Sequence, residues 1–257
     1  MKNMLLLAIP MLLLSCGHRK PNGKFLETVN EKDTTCLKDV AEAEKDFDDG
    51  KLTYCHYTGN LIMHRLRSEK ELRELLQSEG IDFRNEHSSC IVYEGQTEHC
   101  YCDFMQEKIE DKFGAKRLES WLEEADARYL KNHINDTIRY TDCDSRPNYP
   151  RDKDNSEDDF SEVLQKRIDQ KIRYPKGYVK RSNPDETGFV EFTFYVDKKG
   201  NASISHYYFL FDVKSNDRFR EFFIGQLDSL IEKQGWTPGK IRGQNVNADM
   251  VLRYFFE

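Results

Sequence analysis

The cysteines constrain this chain more than any other residue type. Cys16 stands directly behind a short apolar run, Cys36, Cys55, Cys90, Cys100, Cys102 and Cys143 fill the next stretch, and none follows. An even set of thiols in an exported chain reads as a disulfide framework whose pairing the spacing does not decide. Residues 36–143 are therefore expected to form a small, disulfide-stapled α+β domain. His99-Cys100-Tyr101-Cys102 and Cys55-His56 also bring soft ligands together. Zinc sites, however, usually space their cysteines in pairs about two to four residues apart, and there is no Cys-x-x-Cys pair. Extended backbone at Cys100 and Cys102 would point both to one face, each toward a different partner. No metal and no cofactor are expected.

The expectation of export comes from the first sixteen residues. Lys2 supplies charge, Met4 to Leu14 is almost wholly apolar, and Ser15 precedes Cys16. This is the order of a secretory signal, and Leu13-Leu14-Ser15-Cys16 resembles the lipobox of bacterial lipoproteins. The resemblance implies removal of residues 1–15 and acylation of Cys16. The apolar run is broken by Pro10 and is shorter than the roughly 18 residues a span needs. Acyl chains contribute about 0.8 kcal/mol per buried methylene, so two or three anchor a protein firmly. Residues 16–35 then read as lipidated N-terminus and polar tether. The protein is expected in the cell envelope, facing the periplasm, with the outer membrane favoured over the inner.

Fully 33% of the residues are charged, yet 2 Trp, 13 Tyr and 16 Phe are enough to build cores. The length suggests two modest domains. Acidic and basic residues nearly balance beyond residue 158, and the excess acid lies before it. With neither basic patch nor charged tail, nucleic acid is not an expected partner.

Within the cysteine-rich part the pattern predicts a helix over 37–49, a strand over 51–57, and a capping box at Ser68-Glu69-Lys70-Glu71 opening a helix with Leu72, Leu75 and Leu76. A strand is expected at Cys90–Tyr93, a helix through Phe104, Met105, Ile109 and Phe113, and a longer one over 116–132. Charged, proline-bearing residues 144–159 read as a linker. His56, His64, His87, His99 and His133 leave a metal- or thiol-dependent periplasmic protein as an alternative, and a purely structural dimerising lipoprotein as another. No nucleophile elbow, phosphate loop or metalloprotease helix is present, so the chain is read as non-enzymatic.

Beyond residue 160 a helix carries Val163, Leu164, Ile168 and Ile172 on one face. Val190, Phe192, Phe194 and Val196 alternate as a half-buried strand, and Asp197-Lys198-Lys199-Gly200 turns into a second strand over 202–210. Asn216 is placed to cap a helix running to Gln234, and residues 246–256 finish as a strand. This order resembles the C-terminal domain of TonB-type proteins. The marker residues are Tyr174-Pro175, Gly188 with Val190, Val196-Asp197, Gly200, Trp236 with Pro238, and Gly243. Residues 181–187 are longer and more charged than the usual link, and Tyr178 stands where a small residue is common.

The resemblance implies a three-stranded sheet whose last strand has an open edge. Such domains seize an extended N-terminal segment of an outer-membrane transporter by strand addition in TonB-dependent transport. The implied contact residues are Val246, Ala248, Met250, Val251, Leu252, Arg253, Tyr254, Phe255 and Phe256. A homodimer is the competing use of that edge. An acyl anchor and only 7 prolines supply neither membrane helix nor spacer, so holding a partner is expected rather than energising one.

Overall fold

The computed structural model describes residues 24–59, 66–88, 91, 93–149, 160–180, 188–232 and 235–256. Cys16 and Cys90 fall outside them. The protein is α+β, with two disulfides in its N-terminal part.

In the N-terminal half, α1 (Thr34–Asp48) is capped by Asp33, whose carboxylate accepts from Cys36 N at 3.1 Å and Thr97 N at 2.5 Å. Those bonds, Thr97 first, hold the carboxyl below the usual range. β1 (Leu52–Thr58), α2 (Glu69–Ser78) and β2 (Ile81–His87) form a parallel crossover unit, in register from Leu52↔Ile81 to Thr58↔His87. α3 (Cys100–Phe113) and α4 (Ala115–His133) cover it. Leu72, Leu76, Ile81, Ile109, Trp121 and Ala125 are buried together, as the 3.6-residue period of α2 and α4 requires.

Four local expectations give way. Cys100 and Cys102 lie in the first turn of α3, not in extended chain, and bond Cys36 and Cys55 respectively. Ile91 and Tyr93 are in a loop, and the strand of that region is the polar β2. The capping box does not close, because Ser68 makes no capping bond and Glu71 turns inward to accept from Asn132 at 3.1 Å. Asn216 sits in a 3-10 turn, Lys214–Phe219, and pairs with both backbone polar groups of Val179 instead of capping a helix.

The C-terminal half contains α5 (Phe160–Lys171), the hairpin β4 (Phe189–Val196) and β5 (Ala202–Leu210), α6 (Arg220–Ile231), β6 (Gly239–Ile241) and β7 (Gln244–Phe255). Val190, Phe192, Phe194 and Val196 meet Met250, Leu252, Tyr254 and Phe256, with Phe223, Leu227 and Ile231 of α6 above them. The marker residues have local physical reasons. Gly200 has φ +85°, and a Cβ there would collide with the Trp236 carbonyl oxygen. The Trp236 N–H donates to Gly200 O at 2.9 Å, and its indole donates to Ile231 O at 2.9 Å. Asp197 accepts from the Lys199 and Asn201 N–H groups, which closes the hairpin turn. Pro175 O accepts from Tyr178 N in the turn after α5, and the Tyr174 and Tyr178 rings pack 4.8 Å apart. Arg242 and Gly243 both take positive φ, as a two-residue hairpin loop demands, and Pro238 leads into β6.

The sheet is larger than three strands. Its order is β3-β7-β4-β5, with β6 also on β7, and β3 (Thr137–Arg139) comes from the cysteine-rich half. Residues 144–149 are not a linker. Ser145 bridges Lys240, Asn148 bridges Thr237, and Tyr149 packs edge-on to Trp236 at 5.2 Å. Arg67 adds a polar tie between the halves, bonding both oxygens of Asp126 and one of Asp144, while Asp144 accepts from Arg242 N.

Cys143 carries a free thiol beside this seam, and burial pushes its pKa up to about 12. The thiolate is the nucleophile, so native protein at pH 8 should leave Cys143 unalkylated by iodoacetamide. Peptide mapping after denaturation should show it fully modified, and native labelling within minutes would contradict this burial.

Candidate partner-binding rim

The expected contact strand is β7, and its two flanks differ. On one flank β4 pairs with it antiparallel, from Phe189↔Phe255 to Val196↔Ala248. On the other, β6 pairs from Gly239↔Val246 to Ile241↔Gln244, and β3 runs parallel over Thr137↔Asn247, Ile138↔Ala248 and Arg139↔Asp249. The edge is therefore not free along its length. Val246 and Ala248 are fully buried, Val246 against Leu130, Ile138 and Ile241, so neither meets a partner. Asn135 reinforces the seal, with its carbonyl on Asn247 and its side chain on Lys198.

Further along, side chains alternate. Met250, Leu252, Tyr254 and Phe256 point into the core. The Tyr254 hydroxyl donates to Asp169 at 2.9 Å, and burial, then the neighbouring Tyr174 and Asp169, raise its pKa. Of the nine expected contact residues, Val251, Arg253 and Phe255 alone project to the opposite, open face. Val251 is 52% and Phe255 42% exposed.

Backbone direction follows from two bonds. Phe256 N donates to Gly188 O, toward β4. Phe255 N and O both go to Gln165 of α5, away from β4. Since these groups alternate along an antiparallel strand, Val251 and Arg253 also present theirs outward. Among the described residues, the rim is thus open between Asp249, where β3 stops, and Phe255. That window spans about 20 Å at roughly 3.4 Å per residue.

Beside the window, the open face carries an apolar patch. Phe189 lies 6.1 Å from Phe255 and 6.0 Å from Tyr208 by ring centroid, and Leu210 is 46% exposed. The Arg253 guanidinium stacks 4.3 Å over Phe189 and pairs with Glu191 at 2.7 Å. The far edge, β5, is interrupted. A bulge at Thr193/Phe194 leaves Ser205 as the extra residue, and Ile204 N donates to Glu232. Hydropathy alternation foretells the hairpin but not these edge interruptions, since a single polar side chain on a helix has no periodic signature.

No known family model, curated protein or solved structure matches this chain.

The described histidines do not assemble. His99, with φ 64°, precedes α3, meets Ser88 Oγ at 3.1 Å and packs on Tyr57. His133 pairs with Asp136, and His56 lies against Phe83, its pKa lowered by burial. His64 falls outside the described residues. Four cysteines are bridged and so are not thiolate ligands. Among the described residues, no three His, Cys, Asp or Glu side chains are grouped to hold a metal, and no helix is long and apolar enough to cross a membrane.

Proposed function

We propose that this protein is a non-enzymatic lipoprotein of the bacterial envelope that holds an extended segment of another envelope protein by strand addition to β7. The N-terminal segment of an outer-membrane transporter is the partner class the TonB-like markers suggest. The observation that carries this reading is the window at Val251 and Arg253, whose outward N–H and C=O groups face away from β4.

The window is short. Two outward residues offer four hydrogen bonds at about 0.5–1.5 kcal/mol net each, before the cost of ordering the segment. Backbone pairing alone therefore gives weak, reversible capture. Useful affinity needs the apolar face beside the rim, where Val251 and Phe255 flank every second side chain of an added strand and Phe189 of β4 backs Phe255.

A photo-crosslinking residue in place of Val251, in native envelopes with the anchor intact, tests the reading. Adducts should map to an extended N-terminal segment of a transporter and be absent with the probe at Lys131 on α4. Equal labelling from both positions would refute strand addition at β7.

A further inference from the structure

The open end of the window is closed by a side chain imitating a strand. Gln165 Nε2 donates to Phe255 O at 3.0 Å, and Phe255 N donates to Gln165 Oε1 at 3.1 Å. A carboxamide carries the donor and acceptor of a peptide unit, so this pair reproduces one rung of a β-ladder without a neighbouring strand. Its orientation is fixed from behind. Gln165 Nε2 also points at Asp169 Oδ1, 3.4 Å away, one helical turn along α5. Asp169 is in turn held by the Tyr254 hydroxyl. The amide nitrogen must face the carboxylate, which leaves the amide oxygen for Phe255 N.

We propose that Gln165 is a displaceable plug on the rim of β7, an internal competitor that an added strand must dislodge to pair beyond Arg253. The identity of that strand rests on the strand-addition reading above; the plug itself does not. Among the described residues, Val251 and Arg253 are the two outward positions that β3, β6 and Gln165 leave open, and Phe255, held by Gln165, is the next outward position along the strand. A segment that engages all three replaces the carboxamide rung with a main-chain rung and reaches the Phe255 ring, which Phe189 backs from β4. A segment that stops short leaves the plug seated. The device therefore favours segments long and apolar enough to complete the third rung, and it shields the rim from casual pairing.

Two readouts separate plug from partner. In full-length Gln165→Ala, the Phe255 amide should exchange with solvent at least tenfold faster, while the Leu252 and Tyr254 amides, bonded to β4, keep their wild-type rates. A fluorescein-labelled peptide of five Thr-Val repeats flanked by lysines, a sequence-neutral strand former, should bind Gln165→Ala at least fivefold tighter than wild type. Gln165→Glu keeps the acceptor for Phe255 N but sets a carboxylate against Phe255 O, so its Phe255 amide should lie between the two; it also serves if the alanine variant misfolds. Unchanged protection of Phe255 would show that no plug exists. Faster exchange with unchanged, measurable peptide affinity would show that the plug does not compete. Faster exchange with no peptide binding to either protein, and no adducts from Val251, would remove strand addition itself and the gating role with it.

Discussion

Replacing Cys100 and Cys102 together by alanine should unfold the N-terminal half at growth temperature. The two residues tie α1 and β1 to one turn of α3, across sequence separations of 64 and 47. In the chain-entropy model each loop of this size is worth about 4 kcal/mol. The loops overlap, so together they contribute less than twice that, but still a large part of a typical domain's 5–15 kcal/mol. The parallel pair β1–β2 gives the half little independent support, because two strands alone are marginal in water. Hydrogen exchange should show protection lost along β1, β2 and α3 and largely kept along β4. Native-like protection in β1 of the double variant would show that the hydrophobic cluster around Trp121 suffices without the bridges.

Gly200→Ala should be the most damaging conservative change in the C-terminal half. The residue sits at φ +85°, where a Cβ would strike the Trp236 carbonyl oxygen. A left-handed conformation costs an alanine about 1–2 kcal/mol, and forcing extra volume into a packed contact adds about 1–3 kcal/mol. A total near 3 kcal/mol is expected, read as a lower denaturant midpoint with an unchanged slope. Gly235, beside which there is open space, is the control. Gly235→Ala should cost under about 0.5 kcal/mol, as surface substitutions usually do. Equal midpoints for the two variants would mean that the hairpin turn moves away from Trp236 at little cost.

What could be read from the sequence was whatever repeats with a period. The stripe on α4, the alternation of β4 and the hairpin after Val196 lie on buried faces, and burial writes itself into hydropathy. β2 escaped because Ile81-Asp82-Phe83-Arg84-Asn85-Glu86-His87 is mostly exposed and its polar alternation looks like loop. β3 escaped because Thr137-Ile138-Arg139 is too short to show any period, and its partner lies far along the chain. That one strand changes the reading of the rim, turning part of an open edge into a sealed one, and beyond it Ser145 and Asn148 make isolated bridges to Lys240 and Thr237. Gln165 was invisible for a simpler reason, since only geometry distinguishes it from any other solvent-facing glutamine.

The contact between Asn135 and Asn247 joins residues 112 positions apart, and β3 next to it completes a sheet begun by the other half. Pairings this remote pay loop-closure entropy before they return any energy and slow the search for the native topology. Ile138 is shielded only after β6 and β7 have formed. Both disulfides of the cysteine-rich half lie within it, whereas the burial of Ile138 depends on strands of the other half. A chain truncated before Gln244 should linger as a sticky, protease-sensitive species even with both bridges intact.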